Sequence, residues 1–197
     1  TGIVPFGAYA YFSANDGSTG IELWRTDGTT GGTTLVADIN AGGIDSFPTG
    51  MTVMGSAFYF SAVTSAAGAE LWKSDGTGGG TVQVKDIYVG TTASVPSKFK
   101  VMGPNLYFQA TTALGIELWK SDGTGTGTVL VKDIVAGGDS SPDALTVVGT
   151  KLLFFVAYHD TYGQELWRTD GTTGGTHLVK DLYPGVLDGM GLEIAVR

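Results

Sequence analysis

The sequence predicts an all-β chain assembled from one antiparallel meander written four times. Three observations carry this. Glycine occupies 32 of 197 positions, more than twice the ordinary ~7%, and it punctuates short runs of Val, Leu, Phe, Tyr, Thr and Trp. Each interior glycine costs a helix about 1 kcal/mol relative to alanine, so long helices are excluded. Glu-Leu-Trp recurs with its tryptophans at Trp24, Trp72, Trp119 and Trp167, at intervals of 48, 47 and 48 residues. A fixed period of that length marks a repeat architecture.

The landmarks inside each unit are regular. Asp-Gly-Thr begins three residues after each Trp, at Asp27, Asp75, Asp122 and Asp170. Six residues beyond each Asp stands a threonine: Thr33, Thr81, Thr128 and Thr176. An apolar stretch then ends at Asp38, Asp86, Asp133 or Asp181, and an aromatic pair (Tyr11–Phe12 in the first unit, Phe154–Phe155 in the fourth) precedes each Trp. In the fourth unit the expected strands are a (145–148), b (152–158), c (164–169) and d (176–182). Strands this close join only antiparallel, since a parallel crossover needs about a dozen residues or more.

Strand b is apolar on both parities, with Leu106 and Phe108 on one face and Tyr107 on the other. Such a sheet needs protein on both sides. Radial packing of sheets about an axis supplies it and leaves only short edges. The predicted fold is therefore an all-β, four-bladed β-propeller built from four four-stranded antiparallel meanders of about 48 residues. It fills a single domain, 1–197, with units at about 1–48, 49–96, 97–143 and 144–191. Residues 1–12 align without gaps on 49–60, which leaves 192–197 as a spare strand a. We expect 192–196 to close the ring and to displace 3–6, where Pro5 suits an edge position.

Composition narrows the function. Eleven basic against 19 acidic residues give a net charge of −8, and no basic cluster exceeds the pair Lys98 and Lys100. A nucleic-acid partner is not expected. No apolar run reaches the ~18 residues of a membrane span, so no membrane insertion is expected. The absence of cysteine excludes disulfides, thiol catalysis and Cys-ligated zinc.

The fullest copies read ELWKSDGTGTGTVLVKDI at 117–134 and ELWRTDGTTGGTHLVKDL at 165–182. They resemble the ELWxxDGT repeat of bacterial proteins, and the resemblance covers all four units. It implies propeller-like blades in large secreted or surface-attached proteins, hence an extracellular or cell-surface location. Gln83 in the second strand d and Ala37, where the other copies carry Lys, are the departures.

The repeated residues read first as structure. Asp27, Asp75, Asp122 and Asp170 cap their turns, the following Gly supplies positive φ, and Thr leads toward the next strand. The turn also suggests Ca2+, the one cofactor considered, but each turn brings a single carboxylate and lacks the calcium-loop pattern. Trp24, Trp72, Trp119 and Trp167 are expected to pack between blades. Glu22, Glu70, Glu117 and Glu165 are equivalent, whereas acid–base catalysis needs two carboxyls with separated pKa values. They read as partners of Lys, Arg or backbone amides. Asp38, Asp86, Asp133 and Asp181 read as surface strand ends. No metal ligands and no catalytic set are assigned.

Ligand-binding candidates sit where the copies differ, on loops carried by a rigid scaffold. His159, Asp160 and Tyr162 form the one b–c loop with an imidazole, a carboxylate and a phenol. Asp45 and Phe47 mark the first d–a loop. The expected function is a non-catalytic extracellular binding or structural propeller that docks a protein partner or self-assembles. A multivalent glycan-binding lectin is the alternative, and a calcium-binding surface module the second.

Overall fold

The computed structural model describes residues 2–186. Its contacts group the chain into two units, Thr1–Ser97 and Lys98–Arg197. The first unit holds one sheet of β1 (Val4–Phe6), β2 (Tyr9–Asn15), β3 (Ile21–Thr26) and β4 (Thr34–Ala37), and a second of β5 (Thr49–Met54), β6 (Ala57–Thr64), β7 (Gly68–Ser74) and β8 (Val82–Lys85). The other unit repeats the plan with β9 (Ser97–Met102), β10 (Asn105–Thr112), β11 (Gly115–Ser121) and β12 (Val129–Lys132), then β13 (Asp143–Val148), β14 (Leu152–His159), β15 (Gly163–Thr169) and β16 (His177–Lys180). Every sheet keeps its strands in chain order, and the paired strands run antiparallel. These are four propeller blades, as the sequence predicts. Among the described residues no helix is long and apolar enough to cross a membrane. The proposed ring-closing strand, 192–197, lies outside the described residues.

Local chemistry sets each element. Strands a and b are joined by tight turns that open with Gly7, Gly55, Gly103 or Gly149, all near φ +60°. Glycine at the first central position suits the hairpin turn whose twist matches the flanking strands. Strand a begins two residues earlier than expected in the fourth blade, at Asp143. A bulge separates the Asp143↔Val156 and Thr146↔Phe154 pairs, with Ala144 at φ 53° absorbing the extra length. Strand d ends earlier than expected, at Lys180, two residues short of Leu182. Between strands c and d a second bulge recurs, pairing Trp119 with Leu130 but Leu118 with Lys132. The skipped residue, Val131, is buried in the core shared with the fourth sheet. The bulge thus re-aims one apolar side chain toward the neighbouring blade.

The cores lie between blades. In the first unit Tyr11 and Leu23 of one sheet meet Phe58, Phe60 and Ala62 of the next, with the Tyr11 and Phe58 rings 4.7 Å apart. In the second unit Tyr107, Leu118 and Val131 meet Leu153, Phe155, Ala157 and Trp167. Leu106, Tyr107 and Phe108 are all buried, so strand b is covered on both faces.

Candidate functional site

The Asp-Gly-Thr turn is a closed hydrogen-bond network. Asp122 Oδ1 accepts the Thr124 amide (2.8 Å) and hydroxyl (2.7 Å). Thr124 Oγ1 accepts the Gly127 amide at 2.9 Å, and Thr128 donates its hydroxyl to the Thr124 carbonyl at 2.7 Å. The first Thr therefore caps the turn rather than entering strand d, and Thr128 binds back to it. The same bonds recur around Asp27, Asp75 and Asp170. The Thr hydroxyl, then the Thr amide, hold all four carboxyls below the usual range. A Cβ on Gly32, Gly80, Gly127 or Gly175 would strike the capping carboxylate. Among the described residues no three His, Asp or Glu side chains gather as a metal site.

The glycine inside the motif has a second duty. Tyr11 and Arg25 of the first blade both donate to the Gly76 carbonyl of the second, at 3.4 and 3.2 Å. Lys120 reaches the Gly171 carbonyl at 2.7 Å, and a Cβ on Gly171 would collide with the Tyr107 hydroxyl. The turns of the second and fourth blades are thus each seated under the blade before them. Burial, helped by the Asp170 carboxylate, raises the Tyr107 phenol above its ordinary pKa.

The four Glu-Leu-Trp glutamates are fully buried and bind backbone and serine, not Lys or Arg. Glu22 accepts the Ile39 amide (2.7 Å), the Ser46 amide (3.1 Å) and the Ser46 hydroxyl (2.6 Å). Glu70 and Ser94 repeat the set. Glu117 takes the Ser140 hydroxyl and the Ile134 and Val135 amides, and Glu165 takes the Leu182 and Tyr183 amides. A buried carboxyl without such donors would be costly. Burial raises Glu22 and Glu70 from their ordinary value and pushes Glu117 up to about 7. The serine carries the link onward, since the Ser46 carbonyl accepts the Val63 amide of the next blade and that of Ser140 accepts Tyr158. These serines were missed in the sequence. The signal was there in Ser-x-Pro, at Ser46, Ser94 and Ser140.

Trp119 and Trp167 are buried, and Trp167 lies in the core between the third and fourth sheets. Trp72 packs against the core between the first two, while Trp24 is half-buried. Lys132 places its ammonium 6.0 Å from the Trp167 ring and donates to the Thr176 carbonyl at 2.9 Å. The third blade's strand d therefore bridges to the next blade, while Asp38 and Lys180 stand exposed at the ends of theirs. One carboxylate oxygen each of Asp86 and Asp133 is shut from solvent with no hydrogen-bond partner.

Of the loop candidates, the structure joins His159 to Tyr162 and leaves Asp160 apart. The two rings stack at 4.7 Å, and His159 lies 5.9 Å from the Trp167 ring. His159 Nδ1 accepts the Thr161 amide at 3.1 Å, which leaves Nε2 to carry the proton of the neutral ring. Asp160 is exposed. His177 accepts from Arg168 Nε at 2.8 Å.

Asp45 and Phe47 take different roles. Asp45 accepts the Ile21 amide at 2.7 Å and packs on Gly20, where a Cβ would lie 2.9 Å from its carboxylate. It fixes the b–c corner, as Asp139 does for Ile116. Phe47 is 51% exposed and held at φ 48°. With Pro48 and Thr49 it forms one wall of a cleft of ≈ 470 Å³, whose other wall is Ser13, Ala14, Asn15 and Ile21. In the second unit, a cleft of ≈ 330 Å³ lies among Pro104, Asn105, Tyr107, Lys151, Asp170 and Thr172.

No family model matches the chain, and no curated protein matches it in sequence. Solved structures match it in fold. A puromycin hydrolase aligns with TM-score 0.59 at 11% identity, over 93% of this chain and 31% of that one. A prolyl endopeptidase aligns at 0.54 and 12%, over 87% and 24%. A structure described as TolB from Agrobacterium tumefaciens aligns at 0.53 and 16%, over 91% and 63%. The chain thus spans less than two thirds of each. At these identities the likeness shows the β-propeller class of fold and nothing of activity.

Proposed function

We propose that this chain is a non-catalytic binding or assembly module of the ELWxxDGT type, carried by a bacterial secreted or surface protein. One observation carries the reading. The glutamates of Glu-Leu-Trp and the aspartates of Asp-Gly-Thr are already engaged within their own blades. Each of Glu22, Glu70 and Glu117 accepts three donors from its own loop. Each Asp-Gly-Thr aspartate accepts two from its own turn. His159 Nδ1 and His177 Nε2 each accept one. The test is turnover of chromogenic glycosides, esters and peptides by the purified chain. Activity abolished by His159→Ala or by Glu→Gln in a single blade would overturn the reading.

The cleft beside Phe47 supports carbohydrate as a second reading. An exposed aromatic face flanked by Ser13, Asn15 and Thr49 suits sugar stacking with hydroxyl hydrogen bonds. A glycan array read with the wild type and Phe47→Ala decides it, and a blank array ends it. Calcium binding at the Asp-Gly-Thr turns is tested by adding Ca2+ or chelator to the thermal melt, where a rise in Tm with Ca2+ would support that reading.

A further inference from the structure

The second unit holds a small polar cleft that the repeat does not explain. It measures ≈ 330 Å³ and is lined by the a–b hairpins of the third and fourth blades and by the Asp-Gly-Thr turn of the fourth. Tyr107 is part of its wall, yet the residue is only 1% exposed and its ring lies in the core between the two blades. In the first unit the matching phenol, Tyr11, donates to the Gly76 carbonyl at 3.4 Å. In the second unit Lys120 takes the matching Gly171 carbonyl, and the Tyr107 hydroxyl has no hydrogen-bond partner among the described residues. A buried hydroxyl left unpaired is costly and asks for an occupant.

The rest of the lining is where the copies part. In the first blade the residue after the a–b turn is Tyr9, its ring 6.4 Å from that of Tyr11 and 4.5 Å from the Arg25 guanidinium. An aromatic ring and a cation thus crowd the neighbourhood of Tyr11. In the third blade the same position is Asn105, and Pro104 stands where the first blade has Ala8. The fourth blade makes its a–b turn one residue longer, since Val148 pairs with Leu152 whereas Phe6 pairs with Tyr9 and Met54 with Ala57. That longer turn brings Lys151 to the cleft, exposed and with no ion pair among the described residues. Asp170 adds a carboxylate, its Oδ1 already bound to the Thr172 amide and hydroxyl, bonds that keep it ionised.

We propose that this cleft binds one neutral sugar unit, a pyranose, with the Tyr107 hydroxyl donating to a sugar oxygen. This rests on the carbohydrate reading above and gives it a site separate from the Phe47 cleft. The chemistry of the lining selects the ligand. Lys151 and Asp170 contribute one charge of each sign, so a ligand with a net charge meets a repelling group beside the attracting one. An amino-acid zwitterion answers the two charges but leaves the phenol and the Asn105 amide, both neutral, without partners. A pyranose carries hydroxyls around one ring, each able to donate and to accept, so all four groups are served. Its apolar C–H face suits the Pro104 ring. Burial keeps the phenol protonated, hence a donor at neutral pH. The volume lies at the small end of ligand pockets, which fits a single terminal unit rather than a chain.

Amide-resolved NMR titration of the 197-residue chain tests this. The probes are the methyl glycosides of glucose, galactose and mannose, N-acetylglucosamine, and glycine as the zwitterion. At least one sugar should shift the amides of residues 103, 105–107, 150–151 and 170–172 with a millimolar Kd. Tyr107→Phe should weaken that binding about fivefold, the loss of one neutral hydrogen bond. Lys151→Ala, at an exposed position where folding is not at stake, should weaken it by about as much, and Phe47→Ala should leave it unchanged. The proposal is overturned if no sugar shifts these amides, if Tyr107→Phe leaves the binding unaltered, or if glycine binds there and the sugars do not. Sugar shifts confined to residues 13–21 and the surroundings of Phe47 also overturn it, and they leave the carbohydrate reading of that other cleft intact. Silence at both clefts removes the two together. The non-catalytic reading stands in every case, since it falls only to turnover.

Discussion

Gly171→Ala should destabilise the second unit by about 3 kcal/mol, and Tyr107→Phe should recover part of that loss. Gly171 sits at φ +91°, where an L-residue is strained by roughly 1–2 kcal/mol. Its new Cβ would also strike the Tyr107 hydroxyl, whereas the next ring atom, Cζ, lies at 3.4 Å, an ordinary contact. Overpacking of this kind costs about 1–3 kcal/mol. Removing the hydroxyl alone costs about 1 kcal/mol or less. In the double variant the colliding oxygen is gone and only the backbone strain remains, so the cycle should show a favourable coupling of about 1–2 kcal/mol. Urea titrations of the four proteins, followed by tryptophan fluorescence, measure it. At Gly76, where the Tyr11 Cζ would lie at 3.1 Å, the rescue by Tyr11→Phe should be smaller. Additive effects within about 0.3 kcal/mol would refute the claim that the Gly171 turn is seated under the third blade.

Three further outcomes are expected. Glu117, held at about 7 against an ordinary 4.5, binds its proton more tightly when folded, so its stabilisation is complete below pH 4.5 and is lost as pH rises through 7. The full change is about 3 kcal/mol. Glu117→Gln lacks it, and a wild-type-to-variant stability gap that does not narrow over that window would count against the buried acid. Trp119→Ala should cost about 3–5 kcal/mol, and an unchanged Tm would show the indole to be free for ligands. Phe47→Gly should gain about 1 kcal/mol by relieving the left-handed backbone; a thermal melt shows the gain, and a loss would mean that the exposed ring packs more than its surface suggests.

Periodicity made the blades readable, because every landmark recurs and a repeated spacing survives local ambiguity. Leu106, Tyr107 and Phe108 announced a sheet covered on both sides, and both faces are buried. The Asp-Gly-Thr aspartates were legible for the same reason, since an Asx turn is a local bond. What escaped reading was every long-range partner. Glu22 finds Ser46 at a separation of 24 residues, and Tyr11 finds Gly76 at 65. Nothing in a linear spacing says which carbonyl a phenol will reach. Asp45, a ligand-binding candidate because it stands in a variable loop, also holds the Ile21 amide, a partner 24 residues away. His159 and Tyr162, ligand-binding candidates by their loop, form a stacked pair in which His159 accepts the Thr161 amide, a packing no spacing announced.

The glutamate–serine latch has a consequence for how such a chain can diversify. The serine follows its glutamate by 24, 24 and 23 residues, and Ser46 and Ser140 each hand a carbonyl to the following sheet. The stretch from strand c through the d–a loop is thereby metered at both ends, and a lengthened or shortened version would lose its own clasp and its neighbour's together. The b–c loops are pinned only where they enter strand c, as by Asp45 on Ile21 and Asp139 on Ile116, and carry no such gauge at their tips. Novelty, when it comes to this scaffold, has an open door at positions such as 15–20 and 159–163, while the rest of the blade keeps its count.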